Sequence, residues 1–324
     1  MSTSSNPIES SGVRGPMKIF EGHTELVPCV AYFPDGQRIA SVADNDKTVI
    51  IWDAKSGRKD GQPLLHASSV VWMAISPNGR RIASGMEKNG VVVWDVLRRK
   101  VVHEIKGGIH RLAYSPDGCW IATAPMDVAK EVQFWDADMG RPGREPLKYD
   151  NDVWCMAFSP DGSRIAAGLD DGYFEVIDIL TGESVVGPIK GHTSGVSSIV
   201  YSPDGRLLVT ASRDNSIRVW DSKTGVQVGK PMLGKYAVQC ISITSDGRRL
   251  ASGGYDKTVQ VWDLETRLQV GDSFDADGWV LCVAFSPDGR YVIGGGYSGA
   301  HLWDTESLAI QSSVSIFIQL QHCF

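Results

Sequence analysis

The chain has 324 residues, with 32 Lys and Arg against 38 Asp and Glu and a net charge of −6. A surface built for phosphate contacts is usually basic, so this balance gives no support to a nucleic-acid partner. The apolar runs are only a few residues long, too short for a membrane-spanning helix, and the start lacks the apolar core and basic flank of a signal peptide.

Taken in chain order, residues 1–16 (MSTSSNPIESSGVRGP) are polar and Ser-rich and are expected to be disordered. MKIF, Met17–Phe20, precedes the pair Gly22-His23, and from there the sequence repeats itself. Trp-Asp pairs stand at Trp52-Asp53, Trp94-Asp95, Trp135-Asp136, Trp220-Asp221, Trp262-Asp263 and Trp303-Asp304, with Ile177-Asp178 filling the gap in the series. Successive members lie 41 to 43 residues apart. A second marker keeps phase with the first: FPDG at 33–36, SPNG at 76–79, SPDG at 115–118, 159–162, 202–205 and 286–289, and TSDG at 244–247. Two markers in step over seven copies define seven structural units.

The fifth unit shows what each one contains. VSSIVYS meets Pro-Asp-Gly, where Pro presets φ and Asp-Gly supplies the turn. RLLVTAS, the turn RDN and SIRVWD follow, and after TG comes a short VQV. Four short strands separated by turns predict one propeller blade per unit. The fold class expected is therefore all-β, a seven-bladed β-propeller of four-stranded antiparallel blades.

On these Trp-Asp pairs, GH turns and PDG turns, the chain resembles the WD-repeat family of β-propellers over about residues 17–310. In that family a blade is often pinned by a hydrogen-bonded His, Ser or Thr, Asp and Trp. The resemblance assigns those structural roles here to His192, Ser212, Asp214 and Trp220. Blades 1, 5 and 6 keep most of such a set, so the others are expected to rest on apolar packing. The resemblance also implies that an N-terminal strand completes the last blade. MKIF is expected there, although LAI at 308–310 competes for the same position. The tail at 311–324 is apolar and β-prone and is expected to be poorly packed or an edge strand, or to mark a truncated or differently spliced form.

Four of the six Cys, Cys29, Cys155, Cys240 and Cys282, fall at one position of the repeat and read as small buried hydrophobes in a reducing compartment. Trp72 shares that position and reads as core. The seven His are scattered without an HExxH or a His/Cys cluster, and the glycine-rich GGGYSG lacks the Lys and helix of a nucleotide loop. No catalytic, metal or cofactor-binding residue, and no cofactor, is expected.

Members of the family commonly bind partners on one face around the central channel. The sites at issue flank the innermost strand or precede the second turn. Here they hold Trp154, Trp279, Tyr255, Arg213, His110, Leu26, Leu281, Asp152 and Asp170. Trp, Tyr and Arg are enriched at binding hot spots. The expected function is a non-catalytic scaffold that binds a peptide or protein domain on this face, monomeric on its own and cytoplasmic or nuclear. The acids point to a peptide with apolar and basic side chains. The alternative is a ligand-sensing propeller like those attached to signalling NTPases.

Overall fold

The computed structural model describes residues 15–125 and 130–308. Seven four-stranded antiparallel sheets stand in a ring. Their innermost strands are Cys29–Tyr32, Val70–Ile75, Ile109–Tyr114, Val153–Phe158, Val196–Tyr201, Val238–Ile243 and Val280–Phe285, for blades 1 to 7. The first of these strands packs against both the second and the seventh, which closes the circle. No helix among the described residues is long and apolar enough to cross a membrane.

Local chemistry sets the turns. In blade 5, Gly205 takes φ of 70°, a conformation open to glycine. The Asp204 carboxylate accepts a hydrogen bond from the Arg206 N–H at 3.0 Å, and Ser202 Oγ accepts one from the Leu207 N–H at 2.9 Å. These bonds hold the first two strands of the blade in register. The Asp of each Trp-Asp pair caps the next turn in the same way: Asp221 Oδ1 accepts from the Thr224 N–H at 2.8 Å.

The apolar cores lie between neighbouring blades. Trp262 of blade 6, for example, packs with Val209, Ala211 and Ile217 of blade 5. Sheets buried on both faces in this way read as near-continuous apolar strands, such as TVIIWD and GVVVWD.

The outer position of blade 7 is filled by Lys18–Phe20, paired antiparallel with Gly299–Asp304 so that Lys18 opposes Leu302 and Phe20 opposes Ala300. Phe20 is buried, its ring 5.4 Å from that of Trp52 in blade 1. After Asp304 the chain enters a helical turn at 306–308, and Leu308 packs with Phe274 and Trp303. Leu308 is thus not part of the competing strand expected from LAI. Residues 1–14 and 309–324, on which the expectations for the two ends fall, lie outside the described residues.

The short VQV of blade 5 also differs from expectation. Gln227 makes only a single bridge to Trp220, and the outer strand is Met232–Leu233. Blades 1 and 6 repeat this pattern, with bridges Trp52 to Lys59 and Trp262 to Gln269.

Candidate partner-binding face

One rim of the ring is organised by hydrogen-bonded pins. In blade 5 the Trp220 Nε1–H donates to Thr210 Oγ1 at 2.8 Å. Thr210 Oγ1 is also 2.7 Å from His192 Nε2, and His192 Nδ1 is 3.0 Å from the Asp214 carboxylate. Blade 1 repeats the set with Trp52, Ser41, His23 and Asp46. The shared hydroxyl in blade 5 therefore belongs to Thr210, which corrects the role expected for Ser212. Ser212 Oγ donates instead to the Ser194 carbonyl oxygen at 2.9 Å and accepts from the Asp214 N–H at 3.0 Å. These bonds fix the turn that aims Asp214 at His192. The hydrogen bonds from His192 and Ser216 hold the Asp214 carboxyl well below the usual range, against its burial.

The register explains the difference. Ser41, Ser84, Thr123, Thr210 and Ser252 occupy one column, each opposite the middle of its innermost strand. Ser212 lies two residues further on, in a column that elsewhere holds Met86, Pro125, Leu169, Gly254 and Gly296. A hydroxyl recurring at one register position was the signal available in the sequence. It also shows that blades 2 and 3 do not rest on apolar packing alone. Trp135 Nε1–H donates to Thr123 Oγ1 at 2.8 Å, and Trp94 Nε1–H donates to His66 Nε2 at 3.0 Å, with Ser84 Oγ 2.7 Å from the same nitrogen. In blade 7 the column holds Gly294, and the enclosed Trp303 Nε1 has no partner.

These pins hold the turns that carry the candidate residues. Because the strands are antiparallel, the residue entering an innermost strand sits beside the turn that follows the second strand. The N–H groups of Asp170, Arg213, Tyr255 and Tyr297 accordingly donate to the carbonyl oxygens of Asp152, Gly195, Ala237 and Trp279 at 3.1 to 3.2 Å.

Two groups of side chains then form across blade boundaries. In the first, the Arg213 guanidinium of blade 5 lies 3.8 Å from the ring centroid of Trp154 in blade 4, and the His110 ring of blade 3 lies 6.3 Å from that of Trp154, edge to face. In the second, Tyr255 of blade 6 lies against Trp279 of blade 7 at 4.7 Å, and Tyr297 meets Trp279 at 5.1 Å. Trp154 is half-buried, whereas Trp279 is 42% and Tyr297 61% exposed. Tyr297 is not among the residues expected on this face; the structure adds it.

The remaining candidates are spread around the rim. Asp152 and Asp170 are exposed on blade 4, and burial together with the charges of Asp152 and Asp171 raises the pKa of Asp170. Leu26 precedes the innermost strand of blade 1 and Leu281 is the second residue of that of blade 7; both are half-buried.

Below this rim the seven innermost strands enclose a channel cavity of about 340 Å³, whose wall includes Cys29, Trp72, Arg111, Cys155, Cys240 and Cys282. The four cysteines are buried free thiols. Trp72 is half-buried in this wall, with the Arg111 guanidinium 4.2 Å from its ring centroid, so it lines the channel and is not sealed in a core between blades. No group of three or more His, Cys, Asp or Glu among the described residues is close enough to hold a metal ion.

The family model of the WD domain, G-beta repeat (WD40), matches the chain seven times, at residues 14–53, 64–95, 99–136, 145–178, 183–221, 231–263 and 269–304. Among curated proteins the chain is similar to small ribosomal subunit protein RACK1y of Oryza sativa, 29% identical over 167 residues that cover 48% of each chain. It is 26% identical over 175 residues to small ribosomal subunit protein RACK1 of Neurospora crassa, covering 50% of this chain and 54% of that one. WD repeat-containing protein 1 of Xenopus tropicalis is 28% identical over 184 residues, 54% of this chain and 30% of the relative. The matches thus span about half the length of the first two relatives and less of the third.

Proposed function

We propose, from the premise that this chain belongs to the WD40 family of WD-domain, G-beta repeats, that its propeller is a non-catalytic platform that binds a peptide or protein domain on the rim around the channel. The observation that carries this reading is the pair of cross-blade groups, His110–Trp154–Arg213 and Tyr255–Trp279–Tyr297, on one face. Aromatic rings held by neighbours and still exposed offer contact area at little entropic cost. The buried His, hydroxyl and Asp of blade 5 do not compete as a catalytic set. Thr210 is 0% and His192 2% exposed, and the hydroxyl is already engaged by Trp220, whereas a nucleophile needs an accessible oxygen beside its base. Two relatives are named as proteins of the small ribosomal subunit, a place in an assembly, which also supports docking.

The test is selection of displayed peptides on the folded propeller, followed by affinity measurement on variants. Trp154→Ala with Trp279→Ala should weaken the selected peptides by at least about tenfold, the loss of one or more hot-spot residues. Leu97→Ala with Leu180→Ala, both exposed in turns at the opposite end of the blades, should leave affinity unchanged. Equal binding by all three proteins, with circular dichroism showing each folded, sinks the assignment of the face.

A further inference from the structure

The channel wall carries a charge that nothing in the described structure neutralises. Arg111, on the innermost strand of blade 3, is the only charged residue among the described residues lining the cavity. Its Nη1 donates to the His110 carbonyl oxygen at 2.9 Å, its ring contact is Trp72, and none of the ion pairs among the described residues includes it. Arg111 is half-buried in the channel wall, and a guanidinium there with no carboxylate beside it is open to a ligand that supplies the counter-charge.

The neighbours do not supply it. Burial, followed by the charge of Arg111, holds His110 down to about 3, so its imidazole is neutral at physiological pH. Burial pushes Cys155 up to about 12 and raises Cys29 and Cys240 as well, keeping them as thiols. Cys282 is drawn down by its hydrogen bond with Cys29, against its own burial. Of the four thiols lining the wall it is the one whose surroundings favour the thiolate, which would place a negative charge there.

A second, independent feature is the polar lining. The side-chain amide nitrogen of Gln239, on the innermost strand of blade 6, is enclosed and has no hydrogen-bond partner. Ser198, on that of blade 5, accepts from the Ile241 N–H at 3.3 Å, which leaves its own O–H to donate. A buried donor without an acceptor calls for a ligand that accepts. The wall thus presents one fixed cation and donors from two further blades, among apolar side chains.

We propose that the channel beneath the rim is a carboxylate site, in which an acidic side chain or the terminal carboxylate of the bound peptide engages Arg111, with Gln239 and Ser198 as further donors. This rests on the peptide-binding reading above and gives the bound residue its chemistry. A carboxylate carries one charge and pairs with a guanidinium through two parallel hydrogen bonds. A phosphate dianion would exceed the single positive charge of the wall. The basic residue that Asp152 and Asp170 suit would then lie outside, over blade 4.

The probes are small molecules, so the test does not wait for the partner. Protein labelled with nitrogen-15 at arginine is titrated with acetate, N-acetylglycine, N-acetylglutamic acid α-amide, inorganic phosphate and acetamide, while the Arg111 Nε–H signal is followed. The signal is assigned by its loss in Arg111→Gln. The carboxylates are expected to shift it saturably and acetamide to leave it in place. The tighter of N-acetylglycine and the glutamic acid amide identifies the terminal or the side-chain source. Gln239→Leu should weaken the tighter ligand by at least about tenfold, the worth of one charge-assisted hydrogen bond. Trp154→Ala with Trp279→Ala should leave these titrations unchanged, so a failed rim assignment and a failed channel site are told apart. The proposal is overturned by a signal that no carboxylate moves, by equal shifts with acetamide, or by tighter binding of phosphate. A signal that titrates with a thiol and loses that titration in Cys282→Ser also overturns it, since Cys282 would then be the counter-ion.

Discussion

The guanidinium of Arg213 stands over the ring of Trp154 at 3.8 Å although the two residues come from different blades, 5 and 4. A cation over an indole face at a partly exposed site is worth about 0.5–1 kcal/mol. A double-mutant cycle with Arg213→Ala and Trp154→Leu, which removes the aromatic face, read by denaturant unfolding, should return a coupling in that range. Zero coupling would mean that the stack does not form in solution and that Trp154 is free to take other positions on the rim.

The shared hydroxyl of blade 5 separates two residues only two positions apart. Thr210→Val removes the group bonded to both His192 and Trp220 and leaves two buried polar groups without a partner. The expected cost is about 2–4 kcal/mol. Ser212→Ala loses bonds at the edge of the turn and should cost about 1 kcal/mol. Thermal or urea unfolding of the two variants side by side decides the assignment; a reversed order of costs would return the role to Ser212.

Stability should also depend on His66. Burial lowers its folded pKa to about 4, against its hydrogen bond to the Leu64 carbonyl oxygen. The unfolded chain takes up this proton near the ordinary value of about 6.5, and the folded chain resists until about pH 4. Over that window the unfolded state binds more protons, so stability falls as pH falls and levels off below it. The contribution is roughly 2–3 kcal/mol. Urea midpoints at pH 7 and pH 4.5 should drop further for the intact chain than for His66→Gln, because other groups titrate in both proteins and only His66 differs. Equal drops would show that this imidazole protonates freely in the fold.

The blade count, the three inner strands of each blade and the turns could be read from the residues because each is set locally. Pro-Asp-Gly and Trp-Asp fix short turns within a few residues of themselves, and their phase repeats. What escaped was set by register and by contacts across the ring. The resemblance places the hydroxyl in the second strand, which holds both Thr210 and Ser212, whereas the column shared with Ser41 and Ser252 depends on which residue opposes which. Trp72 had the right period for a core residue, yet the strand carrying it faces the channel, where Arg111 from the next blade covers its ring. The pairing of Tyr255 with Trp279 joins residues of two blades, and nothing in the local pattern of either specifies the other.

The pairing of Lys18–Phe20 with Gly299–Asp304 bears on how the protein is made. Synthesis delivers the first partner ahead of blade 1 and the second only after six complete blades have emerged. Contacts so distant along the chain form slowly, because a long loop must close first. During translation the apolar Phe20 and the face of blade 1 that will meet blade 7 await a partner that is still inside the ribosome. This interval, more than any weakness of the finished ring, is when a nascent chain is most exposed to mispairing with its neighbours.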